Sequence, residues 1–206
     1  MVMVCCIINH VETILIIRKE TFMNLEAIKN YKPINEQEKT DQNAMLEFAK
    51  RNPDSFLRTN LMAHFTNSAI ITNEDKNKVL FINHLIYQSW GWVGGHNDGN
   101  EDFLDMVLQE AGEETGVTGI KPLLTEPVSL DNIYVPYHIK NKKFVGDHIH
   151  MNLTYLLVAD ETKELIIKKD ENSGVRWFDL DDVLNHVSEP RMVYIYKKVF
   201  EILKQL

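Results

Sequence analysis

The chain has 206 residues, is 44% hydrophobic and 25% charged, and carries a formal net charge of −8. That length suits one domain with an appended segment, and the apolar share supports a real core. The acidic balance argues against a nucleic-acid polymer or an anionic membrane surface as partner, yet admits a small phosphorylated substrate wherever a bound metal inverts the local charge.

The only cysteines are Cys5 and Cys6. Adjacent cysteines rarely bridge each other, so neither a disulfide framework nor a CxxC zinc site is expected, and a reducing cytoplasm is the natural compartment. Residues 1–22 are apolar but interrupted by His10 and Glu12. They are too short and broken for a membrane span and lack the features of a signal peptide. We expect them to be dispensable, with Met23 as an alternative start.

Residues 23–60 are expected to form a helical extension. Asn24 caps a short helix that Pro33 ends, and a second helix runs from Glu36 to Arg51 with Met45, Phe48 and Ala49 on one face. This segment serves as structural packing, as a lid, or as an arm joining two copies in a homodimer. Residues 61–206 form the main domain. Ala63 to Thr72 and Val79 to Leu85 make a hairpin across the polar turn Asn73 to Asn77. Ser89 to Val93 leads into a glycine loop.

A helix follows the loop. Asn100 is the expected N-cap, and Leu104, Val107, Leu108 and Ala111 make its core stripe. Gly116 is placed to end it in the left-handed conformation. Glu110, Glu113 and Glu114 fall at i, i+3 and i+4 and crowd one face. Each like-charge pair costs roughly 0.2–0.5 kcal/mol, and the last turns of a helix already disfavour negative charge. A hard divalent cation would turn that repulsion into binding. Beyond the helix, Ile120 to Leu130 and Asn132 to Tyr137 read as extended and Asn141 to Lys143 as a turn. His148 to Ala159 reads as a central strand and Val175 to Phe178 as a short one. Leu180 to Val187 and Pro190 to Leu206 read as helices, the last buried through Val193, Tyr196, Val199, Phe200 and Leu203. Interleaved strands and helices define an α/β (α+β) class with helices on both faces of a mixed sheet.

The stretch Gly95 to Val117 resembles the Nudix box, G-x5-E-x7-R-E-U-x-E-E-x-G-U, where U is aliphatic. The matching residues are Gly95, Glu101, Glu110, Ala111, Glu113, Glu114, Gly116 and Val117. Six are fixed letters, each at about 7% frequency, so chance coincidence at one register is on the order of 10⁻⁷. Arg176 to Val183 is also similar to the strand–helix junction near the end of such domains. The resemblance implies an α/β/α sandwich around a mixed sheet. It also implies a hydrolase that breaks the pyrophosphate of a nucleoside diphosphate linked to another group.

By this resemblance Gly95 (through its carbonyl), Glu110, Glu113 and Glu114 bind Mg²⁺, with Mn²⁺ as an alternative. The catalytic set is Glu110, Glu113, Glu114 and Glu171. The general base is Glu110 or a carboxylate on a later loop, Asp170 or Glu171, with Asp147 a weaker choice. One fixed letter differs: Gln109 stands where the family has Arg. A neutral amide cannot form the bidentate ion pair, so lowered activity or altered metal affinity is expected. A catalytically weak module that binds a nucleotide or nucleotide sugar is the alternative function.

Trp90, Trp92 and Phe103 are candidates to stack a nucleobase or to be ordinary packing, and His96 could reach a phosphate. His148 and His150 share a strand face near His138 and Asp147. Such an H-x-H pair binds transition metals or provides polar groups beside a pocket. Tyr134 lies 17 residues past Val117, as a tyrosine does in the family's diadenosine-polyphosphate hydrolases. Many ADP-ribose hydrolases carry a proline near the position of Ile133, so ADP-ribose is disfavoured. Isopentenyl-diphosphate isomerase chemistry needs an active-site cysteine, which only the N-terminal pair could supply.

Overall fold

The computed structural model describes residues 25–140 and 142–206. The reading of residues 1–22, the Asn24 cap and the Asn141 end of the polar turn lie outside the described residues. Two strands run parallel at the centre: β1 (Ala63–Thr72) and β9 (His148–Val158), in register from Ala63 opposite Ile149 to Thr72 opposite Val158. Every residue of β1 is buried, as a strand covered on both faces should be. β2 (Lys78–His84) folds back on β1 across a turn in which Asn73 Oδ1 accepts the amides of Asn77 and Lys78 at 3.1 and 3.0 Å.

β3 (Ser89–Gly91) and β10 (Asn172–Asp179) pair with β2. β4 (Val93–His96) returns antiparallel onto β1 and so lays the glycine loop across it. β5 (Lys121–Pro122) and β6 (Ser129–Val135) pair with β9, completing a mixed sheet of eight strands. β7 (His138–Lys140) and β8 (Lys143–Val145) form a separate hairpin.

Strand alternation divides the core into two layers. Ile71, Leu80, Ile82 and Leu157 face one side. They pack with α1 (residues 25–30), α2 (Glu36–Arg51) and α3 (Phe103–Thr115). Their neighbours Ile70, Val79, Phe81 and Leu156 face the other side and pack with α4 (Pro190–Leu203). This is the expected sandwich. Among the described residues no helix is long and apolar enough to cross a membrane.

The helical segment before the sheet is joined to it by more than apolar contact. Glu38 of α2 is fully buried. Lys198 Nζ of α4 lies 2.7 Å from both Glu38 Oε1 and Asp131 Oδ1 of β6. The Tyr31 hydroxyl donates to Glu38 at 2.7 Å. One cation thus ties α2, β6 and α4 in the interior.

Several elements differ from expectation. Asp102, not Asn100, caps α3, its carboxylate accepting the Asp105 amide at 3.0 Å. Asn100 is instead held in a turn with Asn97. The buried stripe of α3 is Phe103, Val107, Ala111 and Glu114, with Leu104 and Leu108 half-buried. β6 continues through Asp131, because pairing with β9 overrides its low strand propensity. The Leu180–Val187 helix shrinks to a 3₁₀ turn at Val183–His186. α4 stops at Leu203 and buries Met192 and Ile195, with Val193 only half-buried. Gly116 does end α3 with φ 71°. Among the described residues nothing lies within 4 Å of a side chain added at Gly112, and the structure gives no packing reason for that glycine.

Candidate active site

The glycine loop and α3 meet at a cavity of about 780 Å³ that β1 and β9 also line. Its lining brings together Gly95, Glu110, Glu114 and Glu171, with Asp170 beside them. The approach of loop to helix is very close. A Cβ at Gly95 would sit 2.3 Å from Glu110 Oε1, so any side chain there would displace that carboxylate. Gly94 donates its amide to Glu114 Oε2 at 2.9 Å.

The three box glutamates have different surroundings. Glu114 is almost fully buried. Burial pushes its carboxyl up to about 8, although the Gly94 amide opposes the shift. Glu110 is raised as well, mainly by burial, with Lys168 acting against it. Glu113 faces outward and does not line the cavity. Gln109 Nε2 donates to it at 2.8 Å and Lys168 Nζ at 3.1 Å. The Gln109 amide and then the Lys168 cation hold the Glu113 carboxyl low.

Lys168 also lies 3.1 Å from Glu171 Oε2. Burial alone would lower its ammonium, but hydrogen bonds to Glu113 and Glu171 push it well up. It therefore stays charged, linking the outer face of α3 to the loop before β10. Sequence reasoning missed Lys168. Its spacing of three from Glu171 was a usable local signal, but its partner Glu113 lies 55 residues away.

The other predicted residues divide. Trp92, His96 and Tyr134 line the cavity. The Trp92 ring packs edge-on against Tyr196 at 5.2 Å. Tyr134 is 42% exposed and faces the Arg191 guanidinium. Trp90 does not line the cavity; it packs against Phe178 at 4.9 Å and lies over Gly174. Phe103 is a correction. It heads the core stripe, 2% exposed, between Phe56 and Phe65 at 5.6 and 5.7 Å, so its ring cannot meet a ligand. Asp147 accepts the Tyr137 amide at 2.6 Å and is not among the lining residues. His148 and His150 do line the cavity, joined by His64 of β1, which sequence reasoning did not single out. The floor between them is polar: Thr66 and Ser68 both donate to Asn152 Oδ1, at 3.0 and 2.9 Å.

Buried carboxylates beside a backbone loop are short of positive charge, and oxygen donors of this kind suit Mg²⁺ or a similar hard cation. The fold is an α+β sandwich in which a glycine loop is fastened to the helix that follows it. A family model described as "NUDIX domain" matches residues 62–199. The chain belongs to the Nudix family of hydrolases. It is 28% identical over 121 residues to an uncharacterized Nudix hydrolase, YvcI, of Bacillus subtilis (strain 168), covering 58% of this chain and 68% of that protein. Its fold is similar to a Nudix-family hydrolase from Clostridium perfringens, with 21% identity, 68% and 97% of the two chains covered and a TM-score of 0.51. It is also similar to the E. coli dihydroneopterin triphosphate pyrophosphohydrolase, with 13% identity, 65% and 92% covered and a TM-score of 0.51.

Proposed function

We propose that this chain hydrolyses the pyrophosphate bond of a small nucleoside diphosphate derivative, using Mg²⁺ or Mn²⁺. The observation that carries the reading is the convergence of Gly95, Glu110, Glu114 and Glu171 on one cavity. Gly95, Glu110 and Glu114 would hold the cation, with Glu113 at the edge of the set. When bound, such a cation neutralises phosphate oxygens and lowers the pKa of a water ligand.

The chain's own groups do the rest. Glu171 comes from a loop outside α3, lines the cavity and is oriented by Lys168. That suits it to take the proton from the attacking water. Trp92 and Tyr134 offer aromatic faces for the nucleobase. Lys168 braces Glu113 and Glu171 with the positive charge that Gln109 lacks. A reducing cytoplasm fits the paucity of cysteine.

The test is a panel of dinucleoside polyphosphates, nucleotide sugars, ADP-ribose and modified dNTPs, assayed for cleavage with Mg²⁺ and with Mn²⁺. Metal-dependent release of a nucleoside monophosphate supports the proposal. Tight binding without turnover would replace it with the binding-module reading, which Gln109 favours.

A further inference from the structure

Four of the chain's eight histidines meet on one wall of the cavity. His64 lies on β1, His96 ends β4, and His148 and His150 open β9. The sheet itself brings them together. His64 pairs directly with His150 across the parallel β1–β9 ladder, and His96 pairs with Thr66, two residues from His64 on the same face. The ring centroids of His64, His96 and His150 are each 5.0 Å from the other two. One ligating nitrogen from each of these three lies within 4.8 Å of the others.

We propose that His64, His96 and His150 bind a divalent transition-metal cation of the Zn²⁺ class, at a position built from imidazoles and not from the box glutamates.

Three further observations support a built site. His64 Nδ1 faces the Asn60 carbonyl at 3.0 Å, which fixes the proton there and leaves Nε2 as the free donor. Among the described residues that Nε2 is buried and has no hydrogen-bond partner. A buried nitrogen without a partner is costly, and a cation satisfies it. His148 provides a second backed ring: its Nδ1 faces the Gly146 carbonyl at 2.8 Å, and its Nε2 touches His150 Nε2 at 3.1 Å.

Tetrahedral zinc with Zn–N near 2.0–2.1 Å places its nitrogens about 3.4 Å apart. The three nitrogens, within 4.8 Å of one another, lie wider than that and would draw together on binding. Imidazole suits transition metals such as Zn²⁺ or Ni²⁺ far better than Mg²⁺, whereas carboxylates suit Mg²⁺ and Mn²⁺. The two positions therefore take different cations. Three protein ligands would leave a fourth position for water or another ligand, and all three rings line the cavity.

The test uses the full chain, stripped with EDTA and titrated with Co²⁺ alone, followed by visible absorption and then displacement by Zn²⁺. The expected result is one equivalent of tetrahedral-type cobalt absorption. His150→Gln and His96→Asn each weaken it at least about tenfold, whereas Glu114→Gln leaves it within about twofold. Far-UV circular dichroism of each variant confirms that it is folded, and His96, half-buried at the end of β4, is the milder of the two changes. Unaltered cobalt binding in both folded histidine variants overturns the proposal. So does binding that is lost in Glu114→Gln. Mg²⁺-dependent turnover is measured separately, so failure of the histidine site and failure of the hydrolase reading give different results.

Discussion

Gly94 donates its amide hydrogen to the Glu114 carboxylate across 2.9 Å, fastening the glycine loop to the helix that follows it. Glu114 is the most buried of the box glutamates, whereas Glu113 faces outward to Gln109 and Lys168. Replacing each by glutamine should therefore have unequal effects. Glu114→Gln should lower Mg²⁺-dependent kcat/KM by about 10²-fold or more, and Glu113→Gln by about tenfold. Steady-state kinetics on one cleaved substrate checks this, and equal effects would argue that burial does not rank the two carboxylates.

Gly95→Ala probes the same junction from the loop side. The new methyl collides with Glu110 Oε1 at 2.3 Å. That carboxylate is the end of a flexible side chain and gives way more easily than the backbone. Activity should fall by about 10²-fold, while melting temperature changes little. A variant with wild-type kinetics would detach Glu110 from the chemistry.

The pH dependence of cation binding follows from Glu114. Its ordinary value is 4.5, and burial raises it to about 8 in the metal-free chain. Between those values the folded state holds a proton that the unfolded state has released. This group's contribution to stability therefore falls as pH rises through that window. A divalent cation must displace the proton, so Mg²⁺ affinity should rise with pH from about 6 to about 8 and binding should release a proton. Calorimetry in buffers of different ionisation enthalpy measures that proton directly; binding without release would contradict the assignment.

Lys168 and Gln109 both donate to Glu113, so their substitutions should not add. Lys168→Met should lower turnover by about tenfold. Gln109→Arg places a cation on the same carboxylate and should recover most of that loss in the double variant. A double-mutant cycle reads the coupling; strict additivity would mean that Lys168 does not stand in for the missing arginine.

Lys198 joins Glu38 and Asp131 in the interior, all three nearly inaccessible. Lys198→Met leaves two buried carboxyl groups without their cation and should cost about 3–5 kcal/mol in urea unfolding. A loss below about 1 kcal/mol would show that the triad contributes little to fastening α2 onto the sheet.

What could be read along the chain was local. The interval from Gly95 to Val117 set the loop, the helix and the crowding of Glu110, Glu113 and Glu114. The β-rich runs at Ala63 to Thr72, Val79 to Leu85 and His148 to Ala159 set the main strands, and their interleaving with helices set a mixed sheet covered on both faces. These features depend on periods of 3.6 and 2 residues, which the sequence displays directly. The tertiary structure decided which neighbour each side chain met. The seating of α3 against β1 and β4 sent Phe103 into the core, buried Glu114 and turned Glu113 outward. The parallel pairing of β1 with β9 placed His64 beside His150. The loop before β10 brought Lys168 to a carboxylate 55 residues away. Such contacts join segments whose separation in the chain has no bearing on their separation in space, so no local period announces them.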